Sequence, residues 1–352
     1  MAMDIRNTVL QRIERELGTL SPRIRDAFLE AMSRAASQVN LADLAEALER
    51  GDVFRASAML QINEATLYPV TEAIRQGYIN AGVAVANDLP LKIRATFGFG
   101  GNLRAVQAVK EITGEFITHI IEAQREATRE VVTALVNEGI PARRAALSIV
   151  GKINPATGLR EGGFIGLDVP RAGQASKVAT ILRDPERIRE YFVKDRVTGK
   201  WKPRFTTTDR RFDKRVRDAI NSGQSLSQDD ADQITKAHRS RLMKNRADVI
   251  ARNEGINAMR AGEHDGWQQM VDSGAVAESR IERAWLAAHD SHTRIDHVAM
   301  QGQKVRGMSQ PFTFPGGSQA MFPGDASRAA PPEELINCRC VEIVRIKRPG
   351  AL

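Results

Sequence analysis

Apolar residues recur along most of this chain at helical spacing. Ile5, Val9, Ile13 and Leu17 fall four apart and lay one apolar stripe along a helix. Ser21 followed by Pro22 predicts the start of the next helix, with Ile24, Phe28 and Met32 on its inward face. Leu41, Leu44 and Leu48 continue the pattern, and Gly51 predicts its C-terminal stop. From Leu103 to Glu138 the apolar positions Val106, Val109, Phe116, Ile120, Ala127, Val131 and Leu135 run unbroken. At 1.5 Å per residue that is one helix of about 50 Å. Gly139 and Pro141 end it and open another, and Asp168 with Pro170 opens a further one. Ser227 with Asp230 begins a helix that runs to a stop near Gly274. The glycines of "ATFGFGGNLR" (95–104) read as a hinge or turn. A phosphate loop would need a Lys-Ser/Thr ending and a preceding strand.

Two regions depart from this period. "YFVKDRVTGKWKPRFT" alternates around Thr198-Gly199 and predicts a β-hairpin with an exposed basic face. Beyond residue 274, "SRIERAWLA" and "CRCVEIVRI" alternate as strands. Between them lie a short helix in "HDSHTRIDHVAMQG" and a Pro/Gly-rich stretch over 311–332. The expected fold is mainly α: an elongated helical body with a long helix, followed by a small C-terminal α+β module. In sequence order this gives an N-terminal helical region (1–100), a helical body with a basic hairpin near 190–206 (101–274), and the module (275–352).

Composition agrees with the helical reading. Aromatic residues make up only 5% of the chain, short of what sheets favour. No apolar run approaches the ~20 residues of a membrane span. The amphipathic start carries acidic residues and is unlike a signal peptide. Two cysteines make no disulfide framework, so folding in a reducing cytoplasm is expected.

Charge adds a partner class. Residues 141–260 carry 26 Lys/Arg against 14 Asp/Glu, while the flanking regions are slightly acidic. Such a concentration suggests a polyanion, with nucleic acid first, or else a solvated Arg-rich helical surface. The candidate phosphate contacts are Lys200, Lys202, Arg204, Arg210, Arg211, Lys214, Arg215 and Arg217. Trp201 and Tyr191 could stack on bases or pack the hairpin; two aromatics are too few for single-strand binding.

The one concentration of ligand-type side chains is in the module. Both cysteines, Cys338 and Cys340, lie one residue apart, and three of six histidines, His289, His292 and His297, precede them. On a strand, residues i and i+2 share a face, so two thiolates can meet one ion. His289 and His297 would share the broad face of a helix over 289–300. Two thiolates and two imidazoles make a structural zinc site, with Asp290, Asp296 and Asp325 as further oxygen ligands or partners of a histidine. The alternative is two buried, reduced thiols with surface histidines, in a module where Asp290 and Arg294 pair across one helical turn.

"AWLAAHDSHTRIDHVAMQGQKV", "FTFPGGSQAMFPGD" and "EELINCRC", in that order, resemble the phage Mu F-like family of head morphogenesis, or minor capsid, proteins of tailed double-stranded DNA phages. "ADVIARNEGINAMRAGEHDGW" is similar to the Arg-x-Glu helix before the family's module, and "REGGFIGLDVPRAGQASKV" to a Gly-Leu plus Gln segment of its helical part. The family pattern lands on Arg252, Glu254, Trp285, Asp290, Arg294, His297, Gly302, Pro323, Gly324, Asp325, Asn337, Cys338, Arg339 and Cys340. His289 and His292 fall outside it, so a site of His297, the cysteines and Asp290 or Asp325 stands beside the two-histidine version. The resemblance implies a low-copy virion protein in the capsid interior or at the portal vertex, reaching it from the host cytoplasm during assembly. Its implied partners are portal and capsid or scaffold proteins, with double-stranded DNA a further candidate during packaging or ejection. No enzyme activity is expected. The competing readings are a metal-dependent nuclease or hydrolase using the His/Asp/Cys module, and a plain DNA-binding protein.

Overall fold

The computed structural model describes residues 2–88, 98–99, 102–288 and 290–347, with side chains from residue 11. Half of the segment 95–104 therefore lies outside the described residues, as does His289. The chain is mainly helical, with α1 (Ala2–Gln38), α2 (Leu41–Glu49), α3 (Val53–Ala58), α4 (Glu64–Ala84), α5 (Leu103–Asn137), α6 (Ala142–Val150), α7 (Val169–Arg183), α8 (Asp213–Ser222), α9 (Gln228–Asp272), α10 (Ile295–Ala299) and α11 (Pro332–Leu335). Three helices dominate: α1 with 37 residues, α5 with 35 and α9 with 45.

The start and stop signals act as their chemistry requires. The Ser227 hydroxyl accepts the Asp230 amide at 3.1 Å, and Gly274 leaves α9 at φ +73°. Asp168 accepts the Arg171 amide at 3.2 Å with Pro170 in the first turn of α7. Gly139, at φ +65°, follows α5. One signal fails: Pro22 sits inside α1 and starts nothing. Its ring removes the bond to the Gly18 carbonyl, and no neighbour crowds Gly18. Meanwhile Ile13, Leu20, Ile24, Phe28 and Met32 keep one face buried on both sides of the proline.

Two compact units form, each from segments distant in sequence. They are not the three sequential regions, which describe chain order and not contact. One unit holds Ala27–Pro69 and Ile117–Ala247. Its core joins Leu44 and Leu48 of α2, Val131, Val132 and Leu135 of α5, Ala146 and Ile149 of α6, and Leu167. Strands β1 (Lys152–Ile153) and β2 (Arg160–Glu161) form a hairpin beside α6. Gly151 is required there, because a Cβ would lie 2.2 Å from the Glu161 carbonyl oxygen. The predicted basic hairpin is present as β3 (Phe192–Lys194) and β4 (Trp201–Pro203), with Lys194 opposite Trp201. Asp195 closes its turn by accepting the Val197 and Thr198 amides at 3.0 and 2.8 Å.

The other unit holds Met1–Asp26, Val70–Phe116 and Asp248–Leu352. Within it α4 and α9 touch backbone to backbone. A Cβ on Gly262 would fall 2.1 Å from the Tyr78 carbonyl oxygen. The Tyr78 hydroxyl donates to Asp265 at 2.5 Å beside that contact. Against α9 lies a three-stranded antiparallel sheet ordered β6 (Lys304–Arg306), β5 (Ile281–Leu286), β9 (Val341–Ile346). Leu286 faces Val341 at one end and Ile281 faces Ile346 at the other. A small ribbon of β7 (Phe312–Thr313) and β8 (Gln319–Ala320) completes the module.

Gly262→Val would drive a side chain into that backbone contact. An overpacking cost of about 3 kcal/mol is expected, measured as a lower urea midpoint with an unchanged slope; a variant as stable as the parent would contradict the close approach.

Candidate metal centre

His297, Cys338 and Cys340 converge in the interior of the module. They are 1%, 3% and 1% exposed, and their ligand atoms lie within 4.8 Å of one another. His297 comes from α10, and the cysteines from the segment leading into β9. Its imidazole Nδ1 stands 3.3 Å from Cys340 Sγ and 3.6 Å from Cys338 Sγ. A tetrahedral zinc with Zn–N near 2.0 Å and Zn–S near 2.3 Å has N···S edges of about 3.5 Å. The two N···S distances lie on either side of that edge, and the three side chains could hold a metal ion.

The surroundings prepare that donor set. Nε2 of His297 faces Glu334 Oε2 at 2.7 Å. With its proton on Nε2 the ring turns Nδ1 toward the sulfurs, the carboxylate–histidine arrangement typical of metal ligands. Trp285 meets His297 edge-on at 5.8 Å, and Phe314 lies 5.6 Å away. Arg260, buried on α9, donates to the Cys338 carbonyl at 2.9 Å.

Charges follow from this packing in the metal-free chain. The Cys340 thiol donates to Cys338 and, with Arg260 and His297 nearby, holds Cys338 well below the usual thiol range against the cost of burial. The same hydrogen bond and burial push Cys340 up. Burial opposes charge on His297, yet Cys338 and Glu334 raise it overall. Arg260 is lowered by burial, partly offset by the sulfurs.

The remaining candidates take other work. Asp290 does not pair with Arg294, because residues 290–294 form a turn and not a helix. Its carboxylate accepts the His292 amide at 2.9 Å and bonds the Thr293 hydroxyl at 3.2 Å, forming a turn that delays α10 to Ile295. Asp290 instead pairs with Arg339, and Arg294 donates to the Ile336 carbonyl at 2.5 Å. Asp325 binds the Met321 and Ser327 amides at 2.7 and 2.9 Å, closing its own loop. Neither aspartate belongs to the three-ligand cluster. Cys338 and Cys340 present their sulfurs together, but from an extended segment just before the β9 ladder.

The family-pattern residues mostly build this frame. Gly302, at φ +77°, returns its amide to the Trp285 carbonyl at 2.9 Å. Asn337 stands at φ +57° with its amide on Asn253 Oδ1, which turns the chain into Cys338. Gly324, after Pro323, runs against α9, where a Cβ would lie 2.5 Å from Asn257 Oδ1. Arg252 is exposed on α9. Glu254 is raised to about 7 by burial and by Glu115.

Sequence reading passes over Glu334, Arg260, Arg283, Glu342 and His264. The Arg283 guanidinium is wholly buried on β5 and donates to the carbonyls of Gly307 at 2.7 Å, Met321 at 2.5 Å and Gln310. It also reaches Glu342, whose other oxygen lies 3.2 Å from His264 Nδ1. Of these, Glu334, inside "EELINCRC", and Glu342, two residues after Cys340, lie close to the cysteines in sequence.

The candidate DNA contacts are largely paired within their own unit. Lys202 bonds Asp195 at 2.5 Å, Arg210 Asp213 at 3.3 Å and Arg211 Asp209 at 2.7 Å. Lys214 bonds Asp218 at 2.9 Å, and Arg215 bonds Asp230 at 2.6 Å. Arg204 donates to the Glu190 carbonyl, Arg217 lies over Phe192, and Lys200 makes no ion pair among the described residues. Trp201 is exposed, while Tyr191 packs against Phe192.

Fold and cluster together define a mainly helical protein with a small α+β module built around a buried sulfur–imidazole cluster. Residues 210–343 match the family model described as Phage Mu protein F like protein, which makes the chain phage Mu F-like over that stretch. The family points to bacteriophage head morphogenesis, capsid-related partners and association with the virion. No curated protein and no solved structure matches the chain. Among the described residues no helix is long and apolar enough to cross a membrane.

A carboxyl raised in the folded state subtracts stability once the unfolded chain ionises it. For Glu254 the loss begins near pH 4.5 and is complete above about 7. It amounts to about 3 kcal/mol at most. Glu254→Gln should therefore flatten the fall in unfolding free energy between pH 5 and pH 8, and parallel parent and variant curves would contradict it.

Proposed function

We propose that this chain is a minor capsid protein of a tailed double-stranded DNA phage. It enters the head in low copy near the portal vertex, through contacts with portal and capsid or scaffold proteins. The observation that carries this reading is the family match over residues 210–343. The chemistry of the module supports an assembly role over catalysis. A hydrolytic metal site keeps an open position for water, generally among His and carboxylate ligands. Here two sulfurs and an imidazole supply three ligands and leave a fourth position, but all three side chains are buried beside Trp285, Phe314 and Glu334, with little access for a substrate. The metal would be a structural zinc, bound by His297, Cys338 and Cys340 and locking α10 to the entry of β9. Contact with packaged DNA falls to the cations that form no ion pair among the described residues, Lys200, Arg204 and Arg217, with Trp201 beside them.

Purified without chelator, the protein should carry about one equivalent of zinc per chain. Cys338→Ser with Cys340→Ser should abolish it, and a parent holding less than about a fifth of an equivalent would end the zinc assignment.

Quantitative mass spectrometry of DNA-filled and DNA-emptied heads tests the role itself. A few copies per head retained after emptying is the expected result. Loss on emptying would make it a protein ejected with DNA, and absence from every particle would overturn the virion reading.

A further inference from the structure

A second site lies wholly inside the unit that holds Ala27–Pro69 and Ile117–Ala247. A cavity of about 300 Å³ opens between the start of α6, the β1 entry, the end of α7 and the first turns of α9. Its wall carries six cations: Arg143, Arg144, Lys152, Arg183, Lys236 and Arg239. Only one carboxylate, Asp232, joins them in the lining, and it is already shared by Arg144 and Arg183 at 3.2 Å each. Arg143, Lys152 and Lys236 form no ion pair among the described residues.

Arg239 makes the imbalance costly. It is 7% exposed, and its hydrogen bonds go to neutral partners, the Gly162 carbonyl at 2.6 Å and the Ser148 hydroxyl at 3.1 Å. Burial and the Arg183 charge lower it to about 10. A buried guanidinium without its own carboxylate is expensive to keep charged. The start of α6 adds to the field, because Pro141 caps it with no side-chain acceptor and the first amides have no intrahelical partner.

We infer that this cavity is an anion site for a phosphate monoester, closed around by Arg239, Lys236 and Arg143 at the N-terminus of α6. The volume lies at the small end of ligand pockets and suits a mononucleotide or a free phosphate group. Arginine forks and helix amides are the groups that bind a phosphate dianion best. The same chemistry could come from inorganic phosphate, a free nucleotide or the 5′-phosphate at a DNA end. This inference does not rest on the head-assembly reading.

Calorimetric titration of the full chain tests it, with inorganic phosphate, a deoxynucleoside monophosphate, and a short oligonucleotide with and without a 5′-phosphate. Chloride at matched ionic strength is the control. Saturable phosphate binding is expected, weakened about tenfold or more by Arg143→Ala with Lys236→Ala and unchanged by Lys110→Ala, an exposed cation outside the cavity. Tighter binding of the mononucleotide would point to a free ligand. Dependence of oligonucleotide binding on its 5′-phosphate would point to a DNA end. No binding beyond chloride, or equal loss in all the variants, would overturn the site.

Discussion

The module depends on one buried guanidinium. Its sheet has three short strands, and most of 307–340 is loop, which apolar burial alone orders poorly. Arg283 compensates by extending its planar fork into three separate loop carbonyls while lying over Phe312. Glu342 on the neighbouring strand balances the charge and passes the contact on to His264 of α9. A guanidinium with five donors in one plane can hold several strands of backbone at once; a lysine could not. The loop positions that frame Trp285 and His297 follow from where those carbonyls are held.

Much of this architecture was legible in the chain. The long helices α5 and α9, the hairpin about Thr198-Gly199 and the strands flanking the cysteines all follow from periodicity and turn chemistry, which act locally. Pro22 misled because burial on either side outweighs one lost hydrogen bond. Asp290 misled because its side chain competes with the helix for backbone amides. The sulfur–imidazole convergence was legible in its ligand types. Its supports were not, since Arg260 and Arg283 look in sequence like any solvated arginine. The grouping of distant segments into two units leaves no periodic trace at all.

Basic residues in the middle third divide into two physical kinds. Along 200–217 most are neutralised by an aspartate within reach, as on an ordinary helical surface. Around the α6 cavity the cations outnumber their carboxylate and one of them is buried. Net charge in sequence counts both kinds alike, so only the second stands out once the partners are located. A count of arginines measures the potential for an electrostatic partner; the unpaired ones show where it would act.

The sulfur centre also has a place in time. Arg260 reaches Cys338 across 78 residues of chain, and His297 reaches Cys340 across 43. Loop-closure entropy opposes such non-local contacts, whereas the turns of a helix close over only a few residues. Until β9 pairs with β5, the two sulfurs have no imidazole to face. A chain that presents the centre has thereby brought α9, α10 and the entry of β9 together, segments up to 78 residues apart.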